Sequence, residues 1–271
     1  MLRFFVLAAS ARMCYHLPMD SIRFSAAVAR ALLRKPEGGG IGMLGEKTLH
    51  SALKYYYEPD ETCHEQRVSG FFADAMSSEG ILEVQTRSLF SLNRKLREYP
   101  PEVPVTLVHP VIRRRKLIYR DPETGELSRP RLSPKQGRVT DAFWELVHIR
   151  ENLRRPGLVV VIPIVDAEEY RTREEPKRRG RRVSSVTKYE LVPTELTDEW
   201  VFVGPEDWLR VLPEGIAEKG FTVKELSRAA RIPERDAQTV CSVLLAAGAL
   251  TRARCGRAYR YFRNSSNMEE T

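Results

Sequence analysis

The feature of this sequence that most constrains its fold is an uninterrupted apolar run at residues 158–165, which reads LVVVIPIV. The run is short for a helix, and Val and Ile, which favour extended backbone, dominate it. A strand that is apolar on both faces is typical of a sheet that is covered on both sides. Because helices supply that cover in mixed folds, the run predicts an α/β domain with a central sheet between helices.

Helices and strands alternate on both sides of this run. Apolar residues at helical spacing predict a helix over residues 46–56, and residues 66–76 and 81–88 are predicted as strands joined by a turn at 77–80. The other predicted elements are a helix at 91–98, a strand at 104–112, a basic hairpin insertion within 113–135, a helix at 140–153 and a basic loop at 171–185, and a segment at 189–203 follows without an assigned type. We therefore predict a mixed central sheet flanked by helices over residues 43–213.

Residues 1–42 are predicted to form an N-terminal extension. The apolar part of the opening MLRFFVLAAS is shorter than the core of a secretory signal peptide. Phe24, Val28 and Ala31 have the spacing of one short helix. Met19 and Met43 are alternative candidates for the first residue of the working protein, and we assign no function to this segment.

Apolar runs and cysteines indicate the compartment. No run of about 18 uncharged apolar residues occurs in the chain, so no membrane-spanning helix is expected. The cysteines show neither a zinc-ligand spacing nor a dense disulfide framework, and they are Cys14, Cys63, Cys241 and Cys255. This usage favours a reducing cytoplasm.

The charge balance favours a polyanionic partner. Lys and Arg number 44 against 36 Asp and Glu, which gives a formal net charge of +8. The cations concentrate at residues 113–116, at 171–182 and at 221–263, where nine cations accompany three anions. A basic run is most often a solvated loop. Residues 221–263 are stronger evidence for a polyanionic partner, because their charge coincides with a predicted order of two helices and a hairpin.

Residues 214–263 resemble a winged helix-turn-helix module. Thr222 and Glu225 have capping-box spacing at the start of a short helix, residues 232–233 form a turn into a second helix, and Gly248 follows it where a left-handed residue is favoured. A predicted hairpin over residues 250–262 completes the module. The resemblance implies DNA contacts from Arg235, Gln238, Thr239 and Ser242 of the second helix and from Arg252, Arg254, Arg257 and Arg260 of the hairpin. Such modules also serve as protein-interaction domains, and the tail at 264–271 is predicted to be disordered.

A pair of acidic residues in the first predicted hairpin is the candidate catalytic site. With a turn at 77–80, antiparallel pairing places Ala75 opposite Leu82 and Asp74 opposite Glu83. Opposed carboxylates in apolar surroundings repel, so they must take up a proton or share a cation. Mg²⁺ suits two carboxylates that are completed by waters and a substrate phosphate.

Three further residues join this pair. Gln85 and Arg87 lie on the same strand face as Glu83, and Glu46 lies on the apolar stripe of the preceding helix. The order helix, strand with Asp, strand with Glu-x-Gln, helix, strand resembles the PD-(D/E)XK nuclease superfamily, with Gln85 in the usual lysine position. The resemblance implies a restriction-endonuclease-like fold and Mg²⁺-dependent hydrolysis of nucleic-acid phosphodiesters. In that scheme Asp74, Glu83 and Glu46 bind the metal, Gln85 positions the attacking water and Arg87 stabilises the reacting phosphate.

Each of these residues also has a purely structural interpretation. Asp74 can cap backbone amides near the turn, Glu83 can form a salt bridge with Arg87, and Glu46 suits a helix start whatever its function. Three functions therefore stay open: a nuclease whose winged helix recruits DNA, a non-catalytic DNA-binding or regulatory protein with a degenerate nuclease-like domain, and an interaction protein with another partner. Because nucleases of this type often act as dimers, a homodimer is also open.

Overall fold

The computed structural model describes residues 20–33, 45–174 and 185–265. A large mixed sheet has helices on both faces, so the predicted α/β class is confirmed. The α-helices are α1 Ser21–Leu33, α2 Gly45–Tyr57, α3 Leu92–Glu98, α4 Phe143–Leu146, α5 Pro205–Leu209, α6 Ile216–Lys219, α7 Val223–Ala230 and α8 Glu234–Ala246. The strands are β1 His64–Val68, β2 Phe71–Ser77, β3 Gly80–Val84, β4 Val105–Val108, β5 Val111–Arg120, β6 Arg131–Leu132, β7 Leu158–Glu174, β8 Ser185–Phe202, β9 Leu250–Cys255 and β10 Ala258–Arg263.

The sheet is organised around β7, the strand that begins with the apolar run. β3, β4 and β7 are parallel neighbours, while β1 and β2 extend the sheet beyond β3 as an antiparallel meander. β8 pairs with β7 along most of its length. β5 runs parallel to the second half of β7 and pairs with β6. The site candidates in β2 and β3 therefore lie toward one end of this strand order.

Successive residues of β7 pack into different hydrophobic clusters. Val160 lies in the cluster that contains α3 and α4, and Val161 lies in the cluster that contains α1 and α2. Alternate residues of a strand face opposite sides of a sheet. The run at 158–165 is apolar throughout because both of its faces are covered.

Residues 21–33 belong to the core. Phe24 of α1 is 1% exposed, and its ring makes an edge contact with Tyr56 of α2 at 5.5 Å between centroids. The short helix that the sequence predicts here is present, but it packs closely against the α/β domain. The reason is that its stripe of Phe24, Ala27 and Ala31 meets the apolar face of α2.

Several element boundaries differ from the predictions. The strand expected at 66–76 is two antiparallel strands, because Ser69 and Gly70 adopt positive φ angles of 49° and 84° and reverse the chain. The helix expected at 140–153 is the single turn of α4 between two 3₁₀ segments. β3 ends at Val84, before the predicted residue 88, and β7 and β8 extend into the segment that was predicted to be a basic loop.

The C-terminal segment contains the predicted helix, turn, helix and hairpin. Thr222 Oγ1 accepts a hydrogen bond from the Glu225 amide at 3.3 Å, and Glu225 accepts one from the Thr222 amide at 2.7 Å, so the predicted capping box is present. Gly248 has a φ of 80°, in the left-handed region predicted for it. Residues of this segment share one hydrophobic cluster with α3 and α4, so it packs directly on the α/β domain.

Some predicted features fall outside the described residues. They are residues 1–19 with Cys14 and Met19, residues 34–44 with Met43, the side chain of Glu46, the basic residues 175–184, and residues 266–271 of the tail. Among the helices that the structure describes, none has the length and apolar character needed to cross a bilayer.

Candidate functional site

The predicted register of the β2–β3 hairpin is correct near its turn. Ala75 pairs with Leu82, and Ser77 pairs with Gly80. Gly80 has a φ of 118°, and a Cβ at this position would lie 2.5 Å from the Pro104 carbonyl oxygen, so the turn requires glycine. The strand pairing stops after Ala75, and the expected ladder pair between Asp74 and Glu83 is not part of it.

Asp74 bridges the edge of β3 and helix α2. Its Oδ2 accepts a hydrogen bond from the Val84 amide at 2.7 Å, so it caps a backbone group, and its Oδ1 lies 3.2 Å from His50 Nε2. Burial by itself would raise the pKa of Asp74, but the hydrogen bond and charge of His50, the Val84 amide and the charge of Lys95 outweigh it and lower the pKa. Asp74 is therefore stabilised as a carboxylate.

Glu83 lies in the interior beside helix α3. Its side chain is 0% exposed, and Lys95 Nζ donates to both of its oxygens at 2.9 and 3.0 Å. The Tyr99 hydroxyl donates to Oε1 at 2.5 Å. Burial raises the pKa of Glu83, and the Asp74 charge adds to this, although Tyr99 and Lys95 act in the opposite direction.

The two carboxylates thus have different partners from different helices. His50 belongs to α2, whereas Lys95 and Tyr99 belong to α3 and its end, and the two helices pack in different hydrophobic clusters. The pKa of Asp74 is lowered and that of Glu83 is raised. Adjacent acids whose pKa values are shifted apart are a frequent property of acid–base sites, and also of structural ion-pair networks.

Lys95 is the main residue that the sequence interpretation missed. It also donates to the Phe72 carbonyl at 2.7 Å, so it links β2, β3 and α3. Its position was a usable signal: Leu92, Lys95, Leu96 and Tyr99 have the spacing of one helical stripe, and a lysine on a buried stripe requires an acidic partner.

The other predicted catalytic residues lie beyond the end of β3 and in the first turn of α2. The Gln85 backbone carbonyl accepts a hydrogen bond from His109 Nδ1 at 2.7 Å, and burial lowers the pKa of His109. Arg87 is exposed beyond the end of β3, and Glu83 takes Lys95 and Tyr99 as partners in place of the expected Arg87. Glu46 lies in the first turn of α2, with its side chain outside the described residues.

The residues of this site do not fit Mg²⁺ as they are arranged. In the described part of the chain, no three His, Cys, Asp or Glu side chains come together as a metal-binding group. Both oxygens of Glu83 accept hydrogen bonds from protein donors, and the Lys95 ammonium carries the positive charge that a cation would otherwise supply. Glu83 as arranged is therefore not free to bind Mg²⁺, and the side chain of Glu46, the third predicted ligand, lies outside the described residues.

The predicted contact residues of α8 are only partly accessible. Thr239 is 9% exposed, and its hydroxyl donates to the Arg235 carbonyl at 3.1 Å. The Arg235 guanidinium lies 4.5 Å from the ring centroid of Trp144 in α4. Gln238 is exposed and Ser242 is half-buried. Thr239 is thus unavailable to a ligand, whereas Arg235 and Gln238 are exposed.

The predicted hairpin residues are mostly at the surface. Arg252, Arg254 and Arg257 are exposed. Arg260 is half-buried, and its guanidinium donates to the Gly220 carbonyl at 2.7 Å and lies 3.6 Å from the Glu225 carboxylate. Three of the four arginines can therefore meet a ligand, and the fourth attaches the hairpin to the module.

The fold and these surfaces define a class: a mixed α/β domain in which buried Glu83 is paired with Lys95 and half-buried Asp74 lies beside His50, followed by a basic helix-turn-helix-hairpin module. The chain belongs to the family described as domain of unknown function DUF8091, whose model matches residues 47–203. The matched residues begin in α2 and end next to the last residue of β8, so they cover the central sheet and exclude both α1 and the C-terminal module.

The chain is also similar to an individual protein. The chain is 28% identical over 156 residues to an uncharacterised protein of Treponema pallidum (strain Nichols), a match that covers 57% of this chain and 62% of the relative. The match therefore spans less than two thirds of that protein. No solved structure matches the chain.

Proposed function

We propose that this protein binds nucleic acid and that its α/β domain has a nuclease-like order of elements without cutting activity. The observation that carries the proposal is the charge of residues 221–263 in the C-terminal module, where nine cations and three anions accompany a helix-turn-helix-hairpin arrangement. Clustered positive charge on such a module is the electrostatic signature of nucleic-acid binding.

The acidic pair supports the non-catalytic part of the proposal. A metal-dependent phosphodiesterase needs carboxylates with free oxygens at the surface of a cleft. Glu83 is buried, and its oxygens are occupied by Lys95 and Tyr99. We infer that these residues stabilise the junction of β3 and α3, because a buried carboxylate is tolerated when it is paired and hydrogen-bonded.

A Mg²⁺-dependent nuclease is the second candidate. It is favoured by the order α2, β2, β3, α3, β4, which matches the order that suggested the PD-(D/E)XK superfamily apart from the additional strand β1, and by the opposite pKa shifts of Asp74 and Glu83. Lys95 would then supply the positive charge that Gln85 lacks. This candidate requires Glu83 to exchange its bonds to Lys95 and Tyr99 for a metal ion.

One experiment separates these functions. Purified protein is incubated with plasmid and with labelled duplex and single-stranded oligonucleotides, with Mg²⁺, with Mn²⁺ and with EDTA. Binding is followed by fluorescence anisotropy and cutting by gel electrophoresis. Asp74→Asn and Glu83→Gln are compared with Glu79→Gln, a matched change of an exposed acid in the same hairpin.

Salt-sensitive binding with intact substrates is the result that we expect. Metal-dependent cutting that is lost in Asp74→Asn and Glu83→Gln but kept in Glu79→Gln would establish the second candidate. Absence of binding at low salt would contradict both and leave a protein-interaction role.

A further inference from the structure

The positive charge of the C-terminal module is unevenly divided between its two DNA-binding candidates. Helix α8 has one cation, Arg235, and two anions, Glu234 and Asp236. The hairpin formed by β9 and β10 has five arginines and no acidic residue. Within the proposed nucleic-acid binding, we infer that the hairpin, and not α8, contacts the ligand, and that it binds backbone phosphates without reading the base sequence.

Helix α8 is attached to the α/β domain at both ends. Near its start, Trp144 Nε1 donates to Asp236 Oδ1 at 3.2 Å, and Arg235 stacks on the same indole ring. At its end, the Arg154 guanidinium donates to the carbonyls of Leu245 and Ala246 at 3.0 and 2.9 Å. A groove of duplex DNA cannot enclose this side of the helix, because the α/β domain already covers it.

The remaining solvent-facing arc of α8 has no net positive charge. A second side of the helix is buried within the module and comprises Ala237, Val240, Cys241 and Leu244, each at most 2% exposed. The arc left to solvent includes Glu234, Arg235, Gln238 and Ser242, and the Arg235 guanidinium is stacked on the Trp144 ring. Since phosphate attraction brings a recognition helix to its groove, an arc without net positive charge does not favour the approach of DNA.

The hairpin presents a basic and aromatic face. Arg254 pairs with Tyr259 and Arg252 pairs with Tyr261, so all four side chains lie on one face of the two strands. Tyr261 is buried at the base, where it stacks on Phe221, whereas Tyr259 is 47% exposed and lies under the Arg252 guanidinium at 4.6 Å. Arg257 follows Gly256 in the exposed turn. This face combines cations with one accessible ring.

The other two hairpin arginines act as anchors. Arg260 bonds to the Gly220 carbonyl and faces Glu225, and Arg263 bonds to Glu206 at 2.7 Å. Among the described residues, by contrast, no carboxylate forms an ion pair with Arg252, Arg254 or Arg257. These three guanidinium groups are therefore available to anionic oxygens from outside the protein.

The ligand chemistry follows from the donors. Guanidinium groups match phosphate oxygens in two-pronged hydrogen bonds. Contacts to phosphates position a protein on nucleic acid but carry no sequence information. Because α8 is not placed to read bases, we expect the affinity for nucleic acid to depend steeply on salt concentration and weakly on base sequence.

The test uses the full chain and fluorescence anisotropy with duplexes of equal length and different sequence, and with a single strand. The triple variant Arg252→Ala/Arg254→Ala/Arg257→Ala removes the hairpin cations, and the same triple to Lys keeps the charge. Gln238→Ala/Ser242→Ala alters the exposed arc of α8 and is the matched control. Circular dichroism verifies that each variant folds.

We expect the alanine triple to lower duplex affinity about tenfold or more and to reduce the slope of log affinity against log salt by roughly 0.9 for each lost contact. The lysine triple keeps most of the affinity, and the α8 variant changes it less than about twofold. Loss of affinity in the α8 variant with normal binding by the alanine triple would overturn the inference. So would a difference of about a hundredfold or more between duplex sequences. No binding by the unaltered protein is a separate outcome that overturns the proposed function itself.

Discussion

Strand β5 and the β9–β10 hairpin are both rich in arginine, yet their surroundings are opposite. On β5, Arg113 bonds to Asp166 at 2.7 Å, Arg115 lies 2.9 Å from Glu169, and Lys116 lies 3.8 Å from Glu168. The exposed arginines of the hairpin face no such acids among the described residues. The difference teaches that a basic run is available to an external polyanion only where neighbouring elements leave its charge unpaired.

The neutralising acids of β5 come from β7. The two strands are parallel, and their register places Arg114 beside Asp166, Lys116 beside Glu168 and Leu117 beside Glu169. A basic stretch on one strand is thus matched by an acidic stretch on the next. We expect β5 to be a structural ion-pair ladder and the hairpin to be the functional surface.

The largest expected effect comes from breaking the ladder at Glu169. This side chain is 3% exposed and accepts from Arg171 at 2.5 Å, with Arg115 and Lys188 nearby. Glu169→Gln leaves these cations without a counter-charge, so we expect the free energy of unfolding to fall by about 3 kcal/mol. Urea denaturation measures it, with the exposed Glu123→Gln as the control. A loss below about 1 kcal/mol would show that the ladder contributes little.

A second prediction contrasts one arginine from each region. Arg113→Ala removes two charge-assisted hydrogen bonds to Asp166, so it should lower stability by about 1–2 kcal/mol and leave nucleic-acid affinity nearly unchanged. Arg254→Ala should leave stability within about 0.5 kcal/mol and lower the affinity severalfold. Urea denaturation measures the stability of both variants, and fluorescence anisotropy measures their affinity for nucleic acid. Equal losses of affinity in Arg113→Ala and Arg254→Ala would contradict the distinction between β5 and the hairpin.

The smallest expected effect is a dependence of stability on pH. Burial raises the pKa of Asp166, but the hydrogen bond and charge of Arg113 and the Arg114 amide outweigh it, so the pKa is lower than usual. A carboxylate with a lowered pKa contributes stability above its unfolded pKa of about 3.9, and this is lost as the pH falls through the folded value. We expect less than about 1 kcal/mol, because solvent screens the pair.

Asp166→Asn should remove that contribution and flatten the stability profile below about pH 5. Denaturation midpoints of both proteins between neutral and acidic pH measure it. The hairpin has no carboxylate of its own, so Arg254→Ala should keep the profile of the unaltered protein. An identical acid response in Asp166→Asn and the unaltered protein would contradict the assignment.

The predictions that succeeded depended on local rules. The β2–β3 register near Gly80, the capping box at Thr222 and the left-handed Gly248 each follow from residues a few positions apart. The long strand after residue 158 was visible because both of its faces are apolar. The turn at Ser69 and Gly70 was missed, although its glycine was a usable signal.

The candidate site was predicted less well than the fold. The sequence drew attention to Asp74 and Glu83, and both are half-buried or buried at the β2–β3 hairpin. Their partners were not foreseen, because His50 and Lys95 belong to helices on either side of the sheet. Which of two nearby acids meets a lysine depends on packing that no periodicity encodes.

By itself, the sequence determined the α/β class, the C-terminal order of helices and hairpin, and the presence of two acidic side chains in an apolar hairpin. Only the tertiary structure decided that Lys95 pairs with Glu83, that acids of β7 pair with the basic side chains of β5, and that α4 covers one side of α8. The physical reason is range: backbone conformation follows from neighbours along the chain, whereas the state of a charge follows from whichever side chains packing brings within a few ångströms.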